Sequence, residues 1–276
     1  MIARPLAALA FCAAALAAAP CPAQTPSAVL AVKAEGTQFS VTLADGRTLL
    51  SRDLVGAILQ VAMGDAVKRL RIDAVETDPG DPARGRPAAP DVFLHTLSVE
   101  AADGHWENIC NPGPDGRRQA FPLAGRARAD ATVWPGQDDA FEITCTGGAQ
   151  GKCVRFGYRP WEEAPAGAAP YDLYNSCVRM VRADYSGDGK GTTRNGMLID
   201  LYDSFGIQRA ERDDALEFEA GWTKDGAVCV RHPRVKENVS LDELDALPSL
   251  RGRTGEVCTE EFARAHGAVL FNRSKT

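Results

Sequence analysis

Residues 92–99 read Val-Phe-Leu-His-Thr-Leu-Ser-Val and run on to a turn signal at Asp103-Gly104, and this stretch decides the fold class. Phe93, His95, Leu97 and Val99 recur at every second position, the period of a β-strand, while Asp-Gly supplies the positive φ that a tight hairpin needs. His95 sits within that alternation and reads as a packed strand histidine. His105, just past the turn, reads as exposed. Trp106 and Ile109 resume the pattern toward Cys110. Upstream, Phe39, Val41 and Leu43 alternate into Asp45-Gly46, a second hairpin signal. Leu54 to Val67 is apolar but holds two glycines, so it reads as strands around a turn or as a short helix. Leu70 and Ile72 alternate toward Val75, and Asp78 to Asp91 is a Pro/Gly/Arg-rich loop expected to be exposed and mobile. The first half is therefore a region of hairpins without crossover helices.

The second half changes period. Phe141 to Cys145 alternates as a strand, but Tyr171 to Val181 places Leu173, Tyr174, Cys177 and Val181 on one helical stripe. Glu217 to Val230 contains a hairpin around Lys224-Asp225-Gly226. Ser240 with Glu243 forms a capping box that opens a helix, Thr259 to Ala265 reads as another, and Ala268 to Phe271 closes as a strand. The fold class is α+β: mainly antiparallel strands and hairpins with a few short helices.

The first 24 residues have a targeting pattern. Arg4 precedes an uncharged run from Leu6 to Ala19, and Cys21-Pro22-Ala23 offers small residues for cleavage after Ala23. Fourteen apolar residues are too few for a bilayer span, so residues 1–23 read as a signal peptide and 24–36 as a linker. Every later apolar run is broken by charge, so no stable membrane span is expected after cleavage. The expected location is the periplasm or the exterior of the cell.

Export explains the cysteines. Of eight, two leave with the signal segment, and Cys110, Cys145, Cys153, Cys177, Cys229 and Cys258 remain. An even count in an exported chain argues for up to three disulfides, among fifteen possible connectivities. Zinc is disfavoured because these residues offer no CxxC or HxxxH spacing. With 276 residues and 45% hydrophobic content the chain has ample material for a core. Its 31 basic and 37 acidic residues give a net charge of −6, or −7 after signal removal, which argues against nucleic acid as a partner.

Residues 145–207 stand apart. They include KCVRFGYRPW from Lys152, then Ala183-Asp184-Tyr185 followed by Gly187-Asp188-Gly189, then IDLYDSFGI from Ile199. With the terminal LFNRS, these stretches resemble the ADYC-domain family of exported bacterial proteins, named for an Ala-Asp-Tyr-Cys motif followed by Gly-Asp-Gly. The resemblance spans most of the mature chain and is strongest over 141–210. It divides the chain into a β-rich part at 37–139 and an ADYC-like domain at 140–276, and brings no activity with it. The motif's cysteine is Ser186 here, which removes any thiol chemistry at that position. The even cysteine count suggests that a bonding pair was lost together. Ser186 lacks a nucleophile elbow and reads as a turn serine.

Three chemistries are open to this segment. Asp184, Ser186, Asp188 and Asn195 fall at positions 1, 3, 5 and 12 of an EF-hand-like loop, with Gly189 at position 6, although position 12 lacks the bidentate Glu that calcium prefers. No cofactor is expected, and calcium is the exception to test. Second, Lys152, Arg155, Arg159, Arg179, Arg182 and Arg194 cluster in an acidic chain. Arg155, Arg179, Arg182 and Arg194 are the candidate ligand-binding residues, with Arg179 and Arg182 sharing a helix face able to clamp a carboxylate or phosphate. Internal pairing with Asp184, Asp188, Asp200 and Asp203 is the favoured alternative. Third, Asp184, Asp188 or Asp200 are the carboxylates a hydrolase would use, and Trp106, Trp134, Trp161 and Trp222 are the aromatics a sugar platform would use. The leading expectation is a non-catalytic envelope or extracellular binding module, with partner and catalytic residues unassigned.

Overall fold

The computed structural model describes residues 27–276 apart from 64–65, 82–84, 114, 137–138, 212 and 214, so the segment 1–23 that reads as a signal peptide lies outside the described residues. The chain begins with a three-stranded antiparallel sheet of β1 (Val29–Glu35), β2 (Gln38–Leu43) and β3 (Thr48–Leu50), in that order. The linker expected at 24–36 thus contains a strand: β1 pairs with β2 from Val29↔Leu43 to Glu35↔Gln38. Its apolar side chains are partly exposed, which is why it lacks a burial pattern in sequence.

A six-stranded sheet follows, built on β4 (Ile58–Met63), β5 (Ala66–Asp78), β6 (Ala89–Glu100), β7 (Trp106–Asn108) and β8 (Ala120–Ala124). The ambiguous apolar stretch from Leu54 to Val67 resolves into β4 and the start of β5. A two-residue ladder, β9 (Arg126–Ala127) with β10 (Val133–Trp134), precedes β11 (Phe141–Cys145). The order is β11-β8-β6-β5-β4, with β7 against β6. Because β11 pairs with β8 along its length, a division at 139/140 cuts this sheet.

Both faces of the central strands are covered. On one, Leu70, Ile72 and Leu97 pack with Phe39, Val41 and Leu43 of β2; on the other, Val92, Leu94, Phe121 and Leu123 meet the helices. That explains why β8 reads Ala-Phe-Pro-Leu-Ala without alternation. His95 is fully buried, as its place in the alternation predicts, and is satisfied as a neutral ring. The Phe39 amide donates to Ser51 Oγ at 2.8 Å, the Ser51 hydroxyl bonds His95 Nε2 at 2.7 Å, and His95 Nδ1 faces the Ala120 carbonyl at 3.3 Å. One direction of donation satisfies all three links: Ser51 gives its proton to Nε2 and Nδ1–H donates to Ala120.

Helices α1 (Ala149–Arg155) and α2 (Pro170–Arg182) lie over that second face. Pro170 opens α2, where its missing N–H costs nothing, and Asp172 in the first turn and Arg179 and Arg182 in the last suit the helix dipole. Beyond α2 comes a four-stranded antiparallel sheet of β12 (Ile199–Asp203), β13 (Glu217–Thr223), β14 (Gly226–Val230) and β15 (Leu270–Ser274), ordered β12-β15-β13-β14. Its far face carries Tyr202, Val228 and Phe271, packed with Ala263 of α4 (Glu260–Ala265); α3 (Leu241–Asp245) opens with the expected Ser240–Glu243 capping box. The fold is α+β with antiparallel strands and short helices, as the sequence predicts.

Three disulfides pair the six cysteines among the described residues: Cys110–Cys145, Cys153–Cys177 and Cys229–Cys258. The first joins the segment after β7 to the end of β11, the second joins α1 to α2, and the third ties β14 to the segment leading into α4. No helix among the described residues is long and apolar enough to cross a membrane.

Candidate functional site

Helix α2 ends at Ala183, which takes the left-handed conformation (φ 50°, ψ 46°) and donates its amide to the Arg179 and Met180 carbonyls. A small buried residue fits that stop. The next residue, Asp184, is buried and accepts from the Gly187 amide at 3.1 Å, the Gly189 amide at 2.9 Å and Arg179 Nη1 at 2.5 Å. Burial pushes its carboxyl above the ordinary range, opposed by Arg179 and the Gly189 amide. Both glycines have positive φ, and both pass against other backbone: a Cβ at Gly187 would lie 1.8 Å from the Asp225 carbonyl oxygen, and one at Gly189 would lie 2.6 Å from Asp130 Cα. The Gly-Asp-Gly motif is a close-packed turn wedged between the β13–β14 hairpin and the segment before β10.

Tyr185 turns inward. Its ring stacks on Trp222 at 5.2 Å and its hydroxyl donates to Glu219 Oε1 at 2.9 Å while accepting the Arg234 amide at 2.8 Å. Arg234 grips Glu219 with Nε and Nη2, both at 3.0 Å, and spends its other N–H groups on the carbonyls of Met180 and Val181 and on Thr193 Oγ1. All five guanidinium protons have acceptors, two of them carbonyls in the last turn of α2. Although burial alone would raise Glu219, the Arg234 charge beside it holds its pKa below the ordinary value. Neither Glu219 nor Arg234 was singled out in sequence, because they lie far apart in the chain and belong to no motif there.

The candidate arginines separate into different settings. Arg155 is turned to Asp78 and Asp115. Arg179 is buried and donates to Asp184, to the Asp130 carboxylate and carbonyl, and to the Lys224 carbonyl. Arg194 is exposed, 3.4 Å from Glu237 and 3.3 Å from the Asn238 side chain. Arg179 and Arg182 therefore form no joint clamp: the three-residue spacing puts them on one side of α2, but Arg179 is consumed by its own core. Arg182 is partly buried. It donates through Nη2 to the Gly189 carbonyl, its Nε–H has no partner, and it pairs with no carboxylate among the described residues.

Arg182 lines a cavity of about 350 Å³ together with Ala131, Ile143, Thr144, Cys145, Gly148, Ala149, Gln150 and Val178. The walls come from β11, the start of α1 and the last turns of α2. Thr144 is buried and its hydroxyl also lacks a partner.

The candidate carboxylates do not converge. Asp188 is exposed, takes the Lys190 amide at 2.8 Å and the Ser186 hydroxyl, and is held below the ordinary carboxylate range by those bonds. Asp200 is buried in β12, accepts from the Glu211 amide at 3.1 Å, and is raised by burial. Asn195 is exposed, and both Asp184 oxygens are already engaged by Arg179 and the turn amides. No cluster of three or more metal-ligating side chains occurs among the described residues. The tryptophans form no platform either: Trp106 lies under Arg69 and Arg71, Trp134 stacks on Tyr171, Trp161 packs at Gly36 and Trp222 is fully buried.

The stretches that carry the family resemblance share one physical role. In KCVRFGYRPW, Cys153 forms a disulfide, Arg155 grips Asp78 and the Tyr158 hydroxyl donates to Asp203 at 2.9 Å. In IDLYDSFGI, Asp203 also accepts the amides of Phe205, Ile207 and Gln208. In LFNRS, Asn272 accepts the Trp222 indole N–H at 2.7 Å. The ADYC-domain profile matches residues 51–236, beginning well before residue 140, where the sequence reading starts the domain. It therefore includes the whole of the six-stranded sheet. No curated protein and no solved structure matches the chain. The match covers more than half of the chain, and the chain belongs to the ADYC-domain family.

Proposed function

We propose that the protein is an exported, non-catalytic binding module and that its ligand site is the cavity beside Arg182. The observation that carries this reading is the cavity's lining: a guanidinium with an unpartnered Nε–H, an unpartnered buried hydroxyl, and no carboxylate, histidine or free thiol. General acid–base chemistry needs a group able to exchange a proton at neutral pH, and a threonine nucleophile needs a base beside it; this lining supplies neither. It does supply what recognition needs, namely one fixed charge and polar side chains beside apolar ones, at a volume within the ordinary range for ligand pockets. Export is supported by the Arg4-to-Ala23 targeting pattern and by three disulfides, which persist in oxidising compartments. The hydrolase alternative is weakened by the separate engagements of Asp184, Asp188 and Asp200.

The test is thermal unfolding of the oxidised mature chain, residues 24–276, against small anions and their uncharged analogues. A ligand that binds only the folded state raises the midpoint. The expected result is a saturable rise for anions in the wild type that is lost in Arg182→Gln. A rise that survives Arg182→Gln moves the site elsewhere, and turnover of any probe overturns the non-catalytic reading. N-terminal sequencing of the protein recovered from the periplasm or medium is expected to begin at Gln24.

A further inference from the structure

Among the described residues, every sheet edge but one is guarded against pairing with another chain. Charge, a bulge, brevity or a covering segment ordinarily does the guarding. β1 carries Lys33 and Glu35 and a bulge between Val29 and Ala31. β3, β7 and the β9–β10 ladder are two or three residues long. β11 carries Glu142, and β12 carries Asp200 and Asp203. β14 is covered, because the Ala227 amide donates to the Tyr185 carbonyl and Val230 bridges Thr254. The exception is β4, at one end of the six-stranded sheet. Its sequence, Ile-Leu-Gln-Val-Ala-Met, has no charge and no proline, and it pairs with β5 from Ile58↔Arg71 to Met63↔Ala66 without a bulge.

The free backbone groups of β4 fall on alternate residues. The Ile72 amide donates to the Ala57 carbonyl at 3.1 Å, so Ala57 turns its backbone to β5, and Leu59 and Val61 follow at the period of two. The N–H and C=O of Ile58, Gln60 and Ala62 therefore point away from the sheet. All three residues are exposed, and no other described residue bonds to their backbone. We propose that this edge is an interface between two copies of the chain, with β4 of each laid antiparallel about a two-fold axis through Gln60.

Three features favour a second copy as the occupant. The free groups are spaced symmetrically about Gln60, so Gln60 meets Gln60 of the second copy and Ile58 meets Ala62 of the second copy. Each such pair exchanges both backbone bonds. The strand holds no charge, so the two-fold sets no like charges opposite each other, the usual obstacle to self-pairing. The side chains also complement one another. Val67 is 70% exposed, the most exposed of the large apolar side chains described, and it stands opposite Ala62 in the hairpin. The join brings Ile58 of the second copy, 42% exposed when alone, to the other side of that Ala62. One apolar row then runs across the join, while Leu59 meets Val61 on the opposite sheet face. The cavity beside Arg182 adjoins β11, at the far end of the strand order, so this interface stands or falls independently of the binding-module reading.

Sedimentation velocity of the oxidised chain, residues 24–276, tests this from about 5 μM to about 500 μM, because two short strands make an interface at the weak end of specific contacts. A reversible monomer–dimer equilibrium is expected. Gln60→Lys sets two ammonium groups face to face, and Ala62→Pro removes an outward N–H without breaking the β5 ladder. Each is expected to weaken the dimer at least about tenfold. Val257→Lys, at an exposed apolar site outside the sheets, is expected to leave it unchanged. Gln60→Cys is expected to give a covalent dimer on mild oxidation, since residues facing each other in a bonded antiparallel pair have Cα atoms about 5.5 Å apart. Ile58→Cys, about 13 Å along the pair from its equivalent, is expected not to. Circular dichroism and a urea midpoint for each variant show that the fold persists, and Gln60→Cys keeps the proposal testable where Ala62→Pro disturbs β4.

A chain that is monomeric throughout, or a dimer insensitive to both Gln60→Lys and Ala62→Pro, overturns the proposal. A dimer that persists while Gln60→Cys fails to cross-link overturns the two-fold register. A monomer that binds a synthetic peptide copying residues 58–63, and loses it in Ala62→Pro, overturns the second copy and assigns the edge to a strand of another protein.

Discussion

Arg155 on α1 reaches across to Asp78 at the end of β5, with Nε 2.9 Å from Oδ2 and Nη2 3.2 Å from Oδ1. Asp78 is buried, and it also accepts Arg86 Nη1 at 2.7 Å and the Gly80 amide at 3.0 Å. A residue that reads as a ligand clamp in sequence is therefore a strut between the helical layer and the large sheet. It also pins one end of the Asp78–Asp91 loop that the sequence marks as exposed and mobile.

Removing the strut exposes its cost. Arg155→Met is expected to destabilise the protein by about 3 kcal/mol, the range for breaking a buried pair from one side. Burial alone would raise the Asp78 carboxyl, but Arg155 and Arg86 hold it below its ordinary value. A carboxylate depressed in the folded state stabilises above the unfolded value, about 3.9, and loses that contribution as pH falls through the folded one. Urea unfolding at pH 7 and pH 3 is thus expected to show a gap between wild type and variant that narrows in acid.

His95 sets a second, higher acid limit. Burial lowers its pKa to about 4, whereas the unfolded ring titrates near 6.5. Between those values the unfolded chain binds the extra proton, so stability is complete above about pH 6.5 and declines toward pH 4, by about 3 kcal/mol at most. His95→Gln is expected to flatten the stability profile in that window, read from urea midpoints at half-unit pH steps.

Two glycine substitutions separate backbone strain from steric overlap. Gly46 and Gly187 both have positive φ, at 85° and 75°, but only Gly187 has an atom within 4 Å of a notional Cβ, the Asp225 carbonyl oxygen at 1.8 Å. Each alanine variant pays about 1–2 kcal/mol for the left-handed backbone. Gly187→Ala is expected to lose a further ~1–3 kcal/mol, because the β13–β14 hairpin must move. Equal denaturation midpoints for the two variants would show that the hairpin is not packed on the motif.

Tyr185→Phe isolates the hydroxyl at the centre of the Glu219–Arg234 network. It removes one donor from Glu219 and leaves the buried Arg234 amide without an acceptor. The expected loss is about 1–3 kcal/mol in equilibrium unfolding, with the Trp222 stacking intact in near-ultraviolet dichroism.

Calcium is expected to leave the unfolding midpoint unchanged, with or without prior EDTA. Asp184 already spends its two oxygens on Arg179 and two glycine amides, so it has none free to ligate without breaking the turn. A calcium-dependent rise that disappears in Asp188→Ala would restore the loop as a metal site.

The sequence by itself determined the local features of this protein. Alternation at Val92 to Val99, the helical stripe from Tyr171 to Val181, the Ser240–Glu243 box and the even cysteine count each depend on residues a few positions apart or on a tally, so they are legible without coordinates. The same locality explains the family resemblance, whose motifs are turns, caps and staples. It also explains a miss: α1 carries Gly151 in its interior and follows Gly147-Gly148, so propensity hides a helix that gains its stability from the Cys153–Cys177 bond and from packing. Partner choice belonged to the tertiary structure alone. Arg155, Arg179 and Arg182 look equivalent in sequence, and only the folding of Asp78, Asp130 and Asp184 around the first two decides which arginine is left beside a cavity. Sequence spacing carries periodicity along an element, whereas a guanidinium's partner is set by which distant carboxylates the core brings within three ångströms of it.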